Sequence, residues 1–217
     1  MKLAVIGNTG GTGKTTISVH IAGAIAERKK VCLIDADYAQ LSAMHWLFGR
    51  NKEYEFGKIY CKENLYGICF KREDLEAGIK EIEKKFNYVV IDGRPEPGVT
   101  ITILGAMKEK EPVIIPIRVG EEAIKQAYEL REIINEINNK IKVYVVINKR
   151  TQSRISQMLI NEIERLGFEP LADFSFSELM KWAEKEGKFF WEIKGSGRLP
   201  HGFYFRGIAK FFMEGML

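Results

Sequence analysis

The sequence predicts an α/β fold, with one mostly parallel, twisted sheet and helices on both of its faces. Three observations carry that reading. Short apolar runs alternate with stretches of helical periodicity along most of the chain. The apolar runs are near-continuous, as in strands covered on both faces. No internal repeat or low-complexity linker divides the 217 residues, so 1–217 reads as a single domain.

The elements follow in order. LAVIG (3–7) is a strand and TTISVHIAGAIAER (15–28) a helix with small residues toward the sheet. VCLIDAD (31–37) is a second strand ending in two aspartates, and residues 38–49 read as helix. KIYC and GICF pair as short strands around a turn at Glu63-Asn64. REDLEAGIKEIEKKF (72–86) places Leu75, Ile79, Ile82 and Phe86 at helical spacing. YVVID (88–92), PVIIPI (112–117) and KVYVVIN (142–148) are buried strands. VTITILGAMKE (99–109), residues 121–138 and SRISQMLINEIERLG (153–167) are the helices between and after them, the last stopped by Gly167. Beyond residue 170 the pattern weakens to a short helix, ELMKWAEKEG, a loop, KGSGRLPHG, and a final helix. In that helix Ile208, Phe211 and Phe212 are expected to share a face packed on the sheet, rather than to form an amphipathic membrane anchor.

Composition bounds the possibilities. Nearly half the residues are hydrophobic, enough for a sizeable core. The net charge of +4 permits an anionic partner without demanding one. The N-terminus enters a strand directly, with no signal peptide, and no apolar run is long enough to span a bilayer. Cys32, Cys61 and Cys69 have no CxxC pairing, which fits a reducing, cytoplasmic location.

The chemistry concentrates at GNTGGTGKTT (7–16), a glycine loop between strand and helix. Gly10, Gly11 and Gly13 let backbone N–H groups turn inward around phosphate oxygens, and the following helix adds its positive end. Gly13-Lys14-Thr15 matches the Walker A pattern, with Asn8 at the usual first-glycine position. In that pattern Lys14 reaches the β- and γ-phosphates, Thr15 ligates Mg²⁺ and Thr16 bonds the α-phosphate, while Thr12 supplies loop backbone. Strand-end carboxylates complete the set: Asp35 and Asp37 after the second strand and Asp92 after YVVID. One holds Mg²⁺ and another positions the attacking water, with Thr15, Asp37 and Asp92 the metal-side candidates. For Asp35 alone, capping a following helix is a plausible reading, less so for all three together.

The base side is Asn148-Lys149-Arg150-Thr151. Phosphate-loop GTPases carry N/T-K-x-D here. The aspartate position is Thr151, so Asn148 and Arg150 are read as contacts to adenine, and ATP or ADP is favoured over GTP.

These segments, with LIDAD, VVIDGRPEPG, VIIPI and INKRTQSR, resemble the ParA and MinD deviant Walker ATPases over about the whole chain, most closely the small ParF-type partition proteins. The resemblance implies a phosphate-loop NTPase fold of the SIMIBI-like kind. It also implies slow Mg-ATP hydrolysis with Lys14 and Asp37 catalytic, ATP-dependent homodimerisation, non-specific DNA binding with nucleoid association, and a small centromere-binding ParB-like partner. The family's signature lysine, which crosses the dimer, is Thr9 here, and the usual DxDPQ becomes Asp35-Ala36-Asp37-Tyr38-Ala39. Thr9 is expected to bond within its own loop, with Arg94 the candidate replacement cation. DNA contact is expected from Lys188, Lys194, Arg198, Arg206 and Lys210, interleaved with aromatics; a charged rim over a packed aromatic core is the competing reading. Three other functions stay open: a MinD-like positioning ATPase, a metal-centre maturation ATPase and a non-hydrolysing regulator.

Overall fold

The computed structural model describes residues 1–120, 122–148, 154–174 and 178–215. The strands are β1 (Lys2–Val5), β2 (Val31–Asp35), β3 (Tyr60–Lys62), β4 (Leu65–Cys69), β5 (Tyr88–Asp92), β6 (Val113–Arg118), β7 (Val143–Asn148) and β8 (Glu169–Phe174). The helices are α1 (Lys14–Ala26), α2 (Ser42–Phe48), α3 (Leu75–Lys85), α4 (Pro97–Ala106), α5 (Ala123–Asn138), α6 (Arg154–Arg165), α7 (Glu178–Glu186) and α8 (His201–Met213).

The strands form one sheet in the order β3-β4-β2-β5-β1-β6-β7-β8, parallel except for the β3–β4 hairpin. The hairpin turns at Glu63, which takes a left-handed backbone. Strand β8 has no counterpart in the sequence reading. It is an edge strand containing Pro170, and its register slips opposite Val145/Val146. Edge strands tolerate proline and irregular pairing, and they lose the buried apolar run that marks a central strand.

Two apolar layers cover the sheet. On one face Leu75, Ile79 and Ile82 of α3 pack with Val99 and Ile103 of α4, Leu130 and Ile134 of α5, and Leu159 and Ile163 of α6. Each such aliphatic side chain, fully buried, contributes about 1.5–3 kcal/mol. The other face carries α1, α2, α7 and α8. Helix α1 is apolar nearly all round because it lies between the sheet and α8. In α8 the buried side is His201, Phe205, Ile208 and Phe212, whereas Phe211 is 45% exposed. The expected shared face is therefore corrected: at 100° per residue Phe211 lies a quarter turn from Phe212.

His20 pins this face together. It is fully buried on α1, stacks on Phe205 at 4.6 Å, and meets Trp46 and Trp191 edge-on. Its Nδ1 donates to the Thr16 carbonyl (2.7 Å), and its Nε2 accepts the backbone N–H of Phe190 (2.9 Å). Burial pushes its pKa down to about 4, so the ring stays neutral and one nitrogen stays an acceptor.

Candidate functional site

The loop between β1 and α1 lies beyond the carboxyl ends of the strands. Gly13 precedes the helix with φ 103°, a left-handed conformation that favours glycine, and no side chain caps the first turn of α1. The free N–H groups of that turn point out of the helix start. A cavity of about 360 Å³ opens there, lined by Gly10, Gly11, Gly13, Lys14, Thr15 and Thr16, with Asp37 and Gly93 among the facing residues. Gly93 is packed so closely that an added Cβ would fall 2.8 Å from the Val5 carbonyl oxygen.

Lys14 is buried, and its Nζ donates to the Thr9 carbonyl at 2.6 Å. Burial lowers its pKa, against the pull of Asp92 and then Asp37. Thr9 departs from expectation. Its backbone oxygen serves the loop, taking Lys14 and, at 3.4 Å, the Thr12 hydroxyl. Its own hydroxyl leaves the loop and donates to Gln126 Oε1 on α5 at 3.1 Å.

The three aspartates separate by environment. Asp35 and Asp92 are register neighbours at the ends of β2 and β5, both buried. Asp35 accepts the N–H groups of Asp37, Ala43 and Met44 (3.0, 2.9 and 3.0 Å), so it does the capping job for α2. Burial, then the neighbouring Asp92, pushes its pKa up to about 8. Asp92 accepts the hydroxyls of Thr15 (2.8 Å) and Ser18 (2.9 Å). Burial raises it to about 6, while those hydroxyl bonds and Lys14 pull the other way. Ser18 was not among the sequence candidates. The signal was its helical spacing: it follows Thr15 by three positions, on the same face.

Asp37 is only partly covered and faces the cavity. Its Oδ1 receives Arg94 Nη1 at 3.4 Å and the Gln40 N–H at 3.3 Å. Arg94 is itself fixed: its Nε meets Glu96 Oε2 at 3.1 Å and its guanidinium lies over the Tyr38 ring at 4.4 Å. Tyr38 donates its hydroxyl to Glu96 Oε2 (2.8 Å), and Arg72 holds Glu96 Oε1 (2.9 Å). The segment after β2 and the loop after β5 are thus tied through Arg94 within one chain.

Asn148, at the end of β7, is buried, and its Nδ2 donates to the Thr12 carbonyl at 3.0 Å. Its Oδ1 is buried without a hydrogen-bond partner, as is that of Asn8. An unpartnered buried acceptor beside the loop suits a donor such as an exocyclic amine. Arg150 and Thr151 lie outside the described residues, so the base-side set is described only at Asn148.

Among the described residues no group of three or more His, Cys, Asp or Glu could hold a metal by itself. The oxygen donors Thr15, Asp92 and Asp37 still fit Mg²⁺, which keeps waters and takes one or two carboxylates plus substrate phosphates.

The basic C-terminal stretch is more neutral than its sequence window. Lys188 pairs with Glu186, Arg206 with Glu27, and Lys210 with Glu214, all carboxylates outside residues 187–210. Phe190 is buried, and Phe189 stacks on Trp191 at 5.1 Å. The side chain of Arg198 is outside the description. No helix among the described residues is long and apolar enough to cross a membrane.

Known proteins with this arrangement are informative. The chain is 30% identical to the maintenance of carboxysome distribution protein A of Halothiobacillus neapolitanus over 169 residues, 76% of this chain and 74% of that protein. Its fold matches that of Cyanothece McdA in an ATP complex, with TM-score 0.79, 19% identity, and coverage of 98% and 96%. It also matches a Borrelia burgdorferi plasmid partition protein bound to AMPPNP, with TM-score 0.70, 17% identity, and coverage of 98% of each chain. The pattern of the CobQ/CobB/MinD/ParA nucleotide binding domain matches residues 3–187, and the chain belongs to that family.

Proposed function

We propose that this chain is a Mg-ATP-driven positioning ATPase of the ParA type, acting as a single domain. It would bind ATP, dimerise, move its cargo on non-specific DNA and be reset by a small ParB-like adaptor. The observation that carries the reading is the pairing of Thr15 with Asp92 under a glycine loop whose cavity also receives Asp37. The named relatives, one a carboxysome distribution protein and one a plasmid partition protein, support the class of task.

The geometry supports these roles. Gly10, Gly11, Thr12 and Gly13 present backbone N–H groups to the phosphates, and Thr16 supplies a hydroxyl beside them. Lys14 exchanges the Thr9 carbonyl for a phosphate oxygen. Bound Mg²⁺ supplies charge neutralisation of the phosphates. Thr15 and Asp92 would hold it, and Asp37 lines the same cavity. Asp37 orients the attacking water, and Asn148, with Arg150, faces the adenine. The Asn148 acceptor and the absence of an aspartate at Thr151 favour ATP over GTP. The maturation alternative finds no support in the cysteines, since Cys61 is exposed on β3 and Cys69 buried on β4.

Phosphate release from Mg-ATP by the purified chain tests the reading. Asp37→Ala is expected to stop release while changing ATP affinity by less than about threefold, because water positioning matters only to the chemical step. Unchanged release in that variant would remove Asp37 from the reaction.

A further inference from the structure

A second cavity, of about 450 Å³, opens at the opposite end of the strands, below the amino ends of β4, β2 and β5. Its lining contains no acidic residue. Lys29 and Lys30 come from the turn before β2, Lys85 from the end of α3, and Tyr66, Phe86 and Tyr88 form the walls. The lysines are exposed and the rings half-buried. Tyr66 and Phe86 pack at 4.9 Å between ring centroids with their planes inclined at 55°, so the cleft has an angled aromatic wall beside the ammonium groups. Asn87 sits at the mouth, its backbone carbonyl held by the N-terminal ammonium at 2.7 Å.

Lys85 is paired with Glu81, but the other lysines of this cleft carry unpaired charge. Glu27 is taken by Arg206, Glu81 by Lys85, and Glu83 by Lys2 and Lys108. Among the described residues Arg28, Lys29, Lys30 and Lys84 have no carboxylate within ion-pair distance. Lysines of like charge are held together here by the β2–β5 register, which sets Val31 beside Tyr88. Such a cluster raises the local concentration of anions.

We propose that this cleft binds a phosphate ester carrying a flat ring: a nucleotide, free or as an exposed unit of a single-stranded nucleic acid. Lys29 and Lys30 meet the phosphate, and the Tyr66–Phe86 wall meets the ring. The volume falls within the range of small-ligand sites, and cations alternating with aromatics are what stacked, phosphate-linked units require. The site is separate from the phosphate loop and does not depend on its function.

The test uses the full chain with Mg-ADP in excess, so that the phosphate loop is saturated. A fluorescent oligothymidylate of about 15 nucleotides is the probe. Binding is expected to weaken as salt rises and to drop at least about tenfold in Lys29→Glu/Lys30→Glu. Thermal stability and Mg-ADP affinity, read on the same samples, are expected to stay at the native values. Tyr66→Leu keeps the charge and is expected to cost at least about fivefold. Competition by thymidine monophosphate would assign the site to free nucleotides, and binding of the oligomer without that competition would assign it to the polymer. Failure of both probes to bind, or equal binding by the native chain and the lysine variant, would overturn the proposal. Full binding by Tyr66→Leu would overturn its aromatic half.

Discussion

At the carboxyl ends of the strands, Asp35, Asp37 and Asp92 are each held by two or more partners. At the amino ends, Lys29, Lys30 and Lys84 stand in solvent with no ion pair among the described residues. The two edges differ in what charge costs there. Buried carboxylates pay desolvation and must be fixed by hydroxyls, N–H groups or a cation, and fixed dipoles of that kind suit chemistry. Exposed lysines keep their hydration and cost little, which suits capture of a diffusing anion and makes that capture sensitive to salt. One fold therefore carries a rigid edge and a soft edge.

The largest effect should come from the rigid edge. Lys14→Ala is expected to weaken Mg-ATP and Mg-ADP by about ten- to a hundredfold, in line with a lost charged hydrogen bond of about 1.5–3 kcal/mol. Calorimetry giving near-native affinity would erase the contrast between the edges.

Acid sharpens the comparison next. Asp92 is raised to about 6, so it is ionised above that pH and protonated below it. Affinity for Mg-ATP should be flat above about pH 6 and fall by up to about tenfold per unit below it. An affinity unchanged down to pH 5 would take Asp92 out of the metal site. Folding stability carries the opposite sign for this group. The folded chain takes up protons at Asp92 near 6, while the unfolded chain waits until 3.8, so this contribution grows as pH falls. His20 opposes it: the unfolded imidazole protonates near 6.5 and the folded one near 4, so its contribution is lost on the way down.

The smallest expected effect is at Arg94. Arg94→Ala should lower phosphate release by roughly three- to tenfold with ATP affinity preserved, because it frees the Asp37 carboxylate rather than a phosphate contact. Glu96→Gln should reproduce part of that loss by loosening Arg94. If Arg94→Ala instead abolishes an ATP-dependent dimer with turnover per dimer unchanged, Arg94 works across a subunit seam.

Much of this was readable from residues. The order of strands and helices to residue 167 follows from apolar runs and helical spacing, because those segments are buried by regular structure. The loop from Gly10 to Thr16 was legible because its glycines and its lysine are adjacent in the chain. What was not legible depends on distant residues. Thr9 reaching Gln126, and Arg94 caught between Asp37 and Glu96, need the packing of separate elements to be known. The pairing of Arg206 was not legible for the same reason, since Glu27 is remote in sequence and adjacent in space. Strand β8 escaped because Pro170 and its polar neighbours look like a loop until a central strand offers them an edge.

The imidazole of His20 has a consequence for communication. It joins the carbonyl of Thr16, in the first turn after the phosphate loop, to the backbone of Phe190, 170 positions on. Two segments that share a hydrogen-bonded ring share a free energy. A substitution at His20 would therefore remove a bond from the first turn of α1 and one from the segment around Phe190 together. The C-terminal wrap of this chain is therefore fastened to the same helix that carries the phosphate loop, from that helix's far side.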